Sequence, residues 1–125
     1  MGGNSNSPSN LEIRTKAFAV RVIRLYGALS KTDVAAQVIG KQLLRCGTSV
    51  GAQYREAARA RSRAEFVSKI ESCLQEIEET RYWFELLAEV EIVAESRLKD
   101  IMNEAKEITA MLTASARTSK SKTSR

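Results

Sequence analysis

Apolar residues recur three and four positions apart, with polar residues between them, in four separate stretches of this chain. That spacing stacks side chains on one face of an α-helix. The first stretch carries Leu11, Phe18, Val22, Leu25 and Leu29, and the second Ala36, Ile39, Leu43, Cys46, Val50 and Ala57. The third carries Phe66, Ile70, Cys73, Ile77, Phe84 and Leu87, and the fourth Leu98, Ile101, Ala105, Ile108 and Leu112. No segment shows the sustained apolar/polar alternation of a half-buried strand. Amphipathic helices joined by short connections pack as antiparallel neighbours, so the expected fold is an all-α, up-down-up-down four-helix bundle. The expected helices cover about residues 11–29, 33–59, 63–90 and 94–116, in one domain over 11–116.

A length of 125 residues suits one core and is too small for two comfortable ones. Met1–Asn10 is a Gly/Asn/Ser stretch without charge or apolar run. It resembles neither a secretory signal nor a transit peptide and is expected to be disordered. Arg117–Arg125, basic and rich in Ser and Thr, is expected to be a disordered tail. No run approaches the roughly 18 consecutive apolar residues that span a bilayer. The cytoplasm is the expected location, with no membrane partner.

Helix starts are marked by serines with an acidic residue three positions on, the pattern of a capping box. Ser9 with Glu12, Ser30 with Asp33 and Ser62 with Glu65 each stand where an apolar pattern begins. The boundary between the third and fourth stretches is less marked, because residues 89–95 contain no Gly, Pro, Asn or Ser. One long helix from about Arg63 to Ala116 is the alternative there. It would put the charge of Glu91 on the apolar seam, run through β-branched Val90, Ile92 and Val93, and project beyond its neighbours. A turn near Glu91 is therefore expected. Gly40, Gly47 and Gly51 each cost the second helix about 1 kcal/mol relative to Ala. They point either to close approach of another helix or subunit, or to a kinked or frayed helix.

Charge is segregated along the chain. Residues 11–63 hold 11 Lys/Arg against 3 Asp/Glu, a net of +8, while residues 64–116 hold 5 against 12, a net of −7. Opposite charges on the two hairpins can steer helices together within the bundle or between copies. Alternatively, Arg14, Arg21, Arg24, Arg45, Arg55, Arg59, Arg61 and Arg63 form an electrostatic footprint for phosphates. Arg14 and Arg21, seven residues apart, share a helix face. Arg55 and Arg59 are one turn apart, and Arg59, Arg61 and Arg63 fall at an expected turn.

Residue chemistry gives little support to an enzyme. Histidine is absent, removing the commonest metal ligand and the usual general base near neutral pH. Cys46 and Cys73 lie on apolar seams and are expected to act as small hydrophobes. Glu71, Glu76, Glu78, Glu79 and Glu85 invite a di-metal reading, but such bundles use Glu-x-x-His on inward positions, and most of these glutamates fall off the seam. No phosphate-binding glycine loop, nucleophile elbow or zinc spacing occurs. The expectation is a protein with no catalytic residues, metal site or cofactor. In the aromatic group Tyr82-Trp83-Phe84, Phe84 follows the seam and Trp83 is rotated off it, towards a helix groove, an oligomer interface or a binding surface.

The run Gln42-Leu43-Leu44-Arg45-Cys46-Gly47-Thr48-Ser49-Val50, with Glu56 and Glu65-Phe66, resembles the four-helix-bundle family of 23S rRNA intervening-sequence proteins. Glu76-Ile77-Glu78-Glu79-Thr80-Arg81-Tyr82-Trp83-Phe84 is similar to that family's Glu-x-x-Glu-Thr-x-Tyr-Trp pattern, and the resemblance covers about residues 11–117. Gln53 stands where the family often has Asn, and Ala57 where it often has Gly. The resemblance implies an antiparallel bundle assembled as a ring-shaped homopentamer. A related branch, the accessory variability determinant of diversity-generating retroelements, implies a basic pentamer that binds nucleic acid and a reverse transcriptase. Fold likeness alone does not transfer function. Two functions are therefore carried forward: a homo-oligomer that binds RNA or DNA through its basic first hairpin, and a protein-interaction scaffold whose charges serve assembly alone.

Overall fold

The computed structural model describes residues 9–123. Four helices follow one another: α1 (Asn10–Ala28), α2 (Val34–Ala58), α3 (Arg63–Glu89) and α4 (Glu95–Thr123). Cross-helix bonds fix their directions. At the start of α1, Ser9 Oγ donates to Tyr54 Oη near the end of α2 (3.2 Å), and at the other end Tyr26 Oη donates to Gln37 Oε1 (3.1 Å). Lys69 reaches Glu56 (2.7 Å) and Arg45 reaches Glu79, so α2 and α3 are antiparallel. Lys120 pairs with Glu71 (2.7 Å), and Arg14 with Glu104 (2.7 Å), which sets α4 against both α3 and α1. The result is an up-down-up-down bundle in which the α1–α4 seam is the most sparsely packed.

The expected seams form the core. Phe18 and Phe84 are fully buried and meet edge to face across the bundle, with ring centroids 6.2 Å apart. Leu43, Ile70, Ile77, Leu87, Leu98, Ile108 and Leu112 are likewise wholly buried. Two buried hydroxyls are satisfied within their own helices, Thr15 Oγ1 donating to the Leu11 carbonyl and Thr80 Oγ1 to that of Glu76, each at 2.7 Å. Such back-bonding removes the penalty of burying an unpaired polar group.

The three glycines of α2 mark a close approach to α1 within one chain. A Cβ on Gly40 would lie 2.6 Å from Leu29 Cδ1, and one on Gly47 would lie 2.9 Å from both γ-methyls of Val22. At Gly51 it would meet the Thr15 backbone carbonyl at 3.2 Å. α2 remains helical throughout, so the propensity cost is offset by contact and not by a break in the helix.

The turn near Glu91 is present. Ile92 N–H bonds to the Leu87 carbonyl (3.0 Å) and Glu91 N–H to that of Ala88 (3.1 Å), the paired bonds of a Schellman ending. That ending requires a left-handed residue, and Glu91 supplies it at φ 60° in place of the usual glycine. The signal was faint in sequence because the motif lacks its marker residue. Ile92 and Val93 then fold back onto the core.

Three boundary expectations need correction. Ser9 caps α1 and Asn10 is its first residue, so the last two residues of the expected disordered segment are ordered; residues 1–8 lie outside the described residues. Ser30 accepts from Asp33 N–H (3.1 Å), but the N-cap of α2 is Asp33, whose carboxylate accepts from Ala36 N–H (2.9 Å). Ser9 and Ser62 do cap α1 and α3 as expected, accepting from Glu12 and Glu65 N–H. Finally, α4 continues to Thr123, so Arg117–Thr123 is helix and not a disordered tail, residues 124–125 lying outside the described residues. Once a packed helix is nucleated, further residues propagate cheaply, and Lys120 is held by Glu71.

Gly47→Ala is expected to destabilise the protein by roughly 1–3 kcal/mol, because stiff Val22 must move. Gly27→Ala, where nothing lies within 4 Å, is expected to stabilise it by roughly 0.5–1 kcal/mol. Urea unfolding of both variants checks the contrast; equal effects would mean that α1 and α2 do not approach this closely.

Candidate nucleic-acid interface

The structure divides the eight candidate arginines into paired and unpaired groups. Arg14 is engaged by α4: its Nε and Nη2 donate to both oxygens of Glu104 (2.9 and 2.7 Å), and Nη2 also reaches Glu107 (2.7 Å). Hydrogen bonds to Glu104 and then Glu107 raise its pKa above the already high guanidinium value. Two carboxylates thus neutralise Arg14 on the sparsest seam, where a forked ion pair substitutes for apolar contact. Arg45 turns to α3, meeting Glu79 and, at 3.7 Å, Glu76. Neither residue is free to hold a phosphate. The 3-4 pattern that located the helices did not tell which helix each arginine faces.

Arg55 keeps a looser partner, Glu12 at 3.5 Å. Among the described residues, no ion pair involves Arg21, Arg24, Arg59, Arg61 or Arg63, and all five are exposed. Arg59 Nη1 donates to the Arg55 backbone carbonyl one turn earlier (3.1 Å). The one carboxylate within residues 55–63, Glu56, is already taken by Lys69 (2.7 Å). A groove of about 530 Å³ lies between α1 and α2, lined by Ala19, Gly51 and Ala52, by Lys16, Arg55 and Arg59, and by the carboxylates of Glu12 and Glu56. Lys16 was not anticipated. It lies on the opposite side of α1 from Arg14, and only the packing of α1 on α2 brings it beside Arg55.

A second exposed feature is apolar. Ile13, Val20 and Ile23 on α1, and Val34 and Val38 on α2, are between 37% and 77% exposed. Ile13, Ala17 and Val20 are spaced four and three apart, so α1 has an apolar stripe on the side opposite its core face. Tyr82 is also half exposed, against the edge of Trp83 (ring centroids 5.1 Å apart). Trp83 itself packs on the core margin and donates Nε1–H to Glu79 (3.0 Å).

The cysteines are buried. Burial pushes both thiols up, Cys73 to about 12, which leaves neither ionised near neutral pH. On the α2–α3 seam, Cys46 Sγ accepts from Thr80 Oγ1 (3.1 Å), while Glu76 meets Gln53 Nε2 (3.4 Å). Among the described residues, no group of three or more His, Cys, Asp or Glu side chains is placed to hold a metal ion, and no helix is long and apolar enough to cross a membrane.

The family model described as 23S rRNA-intervening sequence protein matches residues 10–114. The chain belongs to that family. A crystal structure at 1.70 Å of a protein of unknown function from the S23 ribosomal protein family of Bacteroides thetaiotaomicron VPI-5482 is 38% identical to it. The alignment covers 85% of this chain and 97% of that one, with a TM-score of 0.79. Among curated proteins, none matches the chain. In this member of the 23S rRNA-intervening sequence proteins, the Glu-x-x-Glu-Thr-x-Tyr-Trp run forms a polar seam: Glu76 and Glu79 receive Arg45, Thr80 bonds Cys46, and Trp83 secures Glu79. Gln53 joins that seam through Glu76, and Ala57 is buried.

Arg14→Gln is expected to lower stability by about 1 kcal/mol, the scale of a partly exposed ion pair, and to leave nucleic-acid affinity unchanged. Urea unfolding and a binding titration on the same variant check this. Lost affinity at unchanged stability would return Arg14 to the binding surface.

Proposed function

We propose that this protein is a non-enzymatic, cytoplasmic homo-oligomer that binds RNA or DNA through the basic surface of α1 and α2. The observation that carries the reading is the division of the arginines: Arg14 and Arg45 have carboxylate partners, whereas Arg21, Arg24, Arg59, Arg61 and Arg63 are exposed without any among the described residues. Exposed cations without a carboxylate partner attract phosphates by releasing condensed counterions. The apolar stripe of α1 is the proposed contact with a second copy. It lies on the basic hairpin, and the acidic hairpin of a neighbour, net −7 over residues 64–116, complements it in charge. A contact between two different faces closes into a ring when its rotation permits, and the family resemblance favours five copies. Each patch would then be repeated around the ring, so that weak contacts add up.

The same stripe supports a second reading, in which charge and apolar faces serve self-assembly alone and the partner is another protein. Fluorescence anisotropy with a structured RNA and a DNA duplex, beside a mass measurement by light scattering, separates the two. The proposal predicts a mass several times 13.9 kDa. It also predicts affinity falling roughly 10³-fold between 50 and 200 mM salt. Val20→Asp should reduce the mass to that of one chain and weaken binding together. An assembly that binds neither nucleic acid at low salt would leave the scaffold reading.

A further inference from the structure

The antiparallel packing that pairs off Arg14 and Arg45 places Arg55, Arg59, Arg61 and Arg63 at one end of the bundle, while Arg21 and Arg24 lie farther along α1. Ser9–Tyr54 and Glu12–Arg55 contacts place the start of α1 beside the end of α2. The α2–α3 turn, carrying Arg59, Arg61 and Arg63, caps that end. The Lys120–Glu71 pair returns the last turns of α4, with exposed Arg117, to the same end. The opposite end is made by residues 29–33 and 89–97. There Asp33, Glu89, Glu91 and Glu95 outnumber Lys31 and Arg97, and all six are exposed. The sequence divides charge between two hairpins; the fold adds a division along the long axis.

Among the described residues, the basic end presents no exposed aromatic side chain on which bases could stack. Tyr54 is buried and its hydroxyl accepts from Ser9, while Phe66 packs against the core. The exposed aromatic, Tyr82, lies on α3 19 residues beyond Arg63, or roughly 28 Å along the helix at 1.5 Å per residue. Proteins that hold single strands combine basic grooves with aromatic platforms, whereas contacts to a duplex backbone need only cations and donors.

We infer that the end formed by the α2–α3 turn, the start of α1 and the last turns of α4 is a site for the sugar–phosphate backbone of a nucleic-acid duplex. It takes RNA or DNA and reads charge rather than bases. The inference rests on the nucleic-acid binding proposed above and names its place and substrate class. The acidic far end orients the protein, so that a duplex meets the α2–α3 turn first. Arg59, Arg61 and Arg63 make the central contacts, and Lys16, Arg55 and Arg117 flank them.

The test is anisotropy of the full chain with an RNA duplex, a DNA duplex and unstructured oligouridylate, each with the same number of phosphates, across a salt series. The variants are Arg59→Gln/Arg61→Gln/Arg63→Gln and, on the side of α1, Arg21→Gln/Arg24→Gln, with circular dichroism confirming that both fold. Both duplexes should bind at least about tenfold more tightly than oligouridylate. The triple variant should lose at least about tenfold in affinity, and its log–log salt slope should fall by about 3, near 0.9 per phosphate contact. The α1 variant, at the margin of the basic surface, should lose less affinity than the triple variant. Oligouridylate bound as tightly as the duplexes, one duplex preferred more than about tenfold over the other, or a larger loss in the α1 variant would overturn the inference while leaving nucleic-acid binding in place. Failure to bind all three ligands at low salt would remove the proposed function itself.

Discussion

The close contact of α1 with α2 is the constraint on which the rest of the architecture depends. Gly40, Gly47 and Gly51 line one face of α2, and Leu29, Val22 and Thr15 occupy the space that their missing side chains leave. Two helices this close hold no long side chains at the glycine contacts, so the cations of the first hairpin lie at the margin of that contact, as Arg55 does beside Glu12, or face elsewhere. Some turn to α3 and α4, and others outward. The glycines therefore influence both packing and the placement of charge, although they carry no charge themselves.

Ion pairing then decides which cations remain available. Arg14 closes the α1–α4 seam through Glu104 and Glu107, and Arg45 joins α2 to α3 through Glu76 and Glu79. Each is a long-range bond between a basic and an acidic hairpin, which is how opposite net charges help to assemble one bundle. The turn between α2 and α3 stays net positive, because Glu56 is engaged by Lys69 and the acidic hairpin brings only Glu65, bonded to the Arg61 backbone N–H (3.0 Å), against Arg59, Arg61 and Arg63. Charge segregation thus serves two ends in one chain: internal pairing along the helix seams and a net positive surface at one pole.

The fold class was legible because burial imposes a period. Phe18, Leu43, Ile77 and Leu112 stand on the expected seams and are wholly buried. The turn at Glu91 was inferred from the incompatibility of a charge with the seam, without a glycine to mark it. The glycine spacing of α2 indicated an approach but could not name its partner, since sequence gives a helix face and not the helix that covers it. The candidate site was less legible for the same reason. Arg14 and Arg21 share a face by spacing, yet one is neutralised and the other exposed, because α4 supplies Glu104 at only one level. Lys16 and Arg117 were missed because their neighbours come from other helices. The extension of α4 was missed because a Ser/Thr/Lys composition reads as disorder until a packed helix precedes it.

The most direct test of this account is the reactivity of individual arginines. Modification by an arginine-specific dicarbonyl reagent, located by peptide mass spectrometry, would be followed with and without a nucleic-acid duplex. Arg59, Arg61 and Arg63 are expected to react first and Arg14 last, with the duplex protecting the first three. Arg14 reacting as fast as Arg61, or a duplex that protects only α1, would contradict the division of cations on which the function proposed here depends.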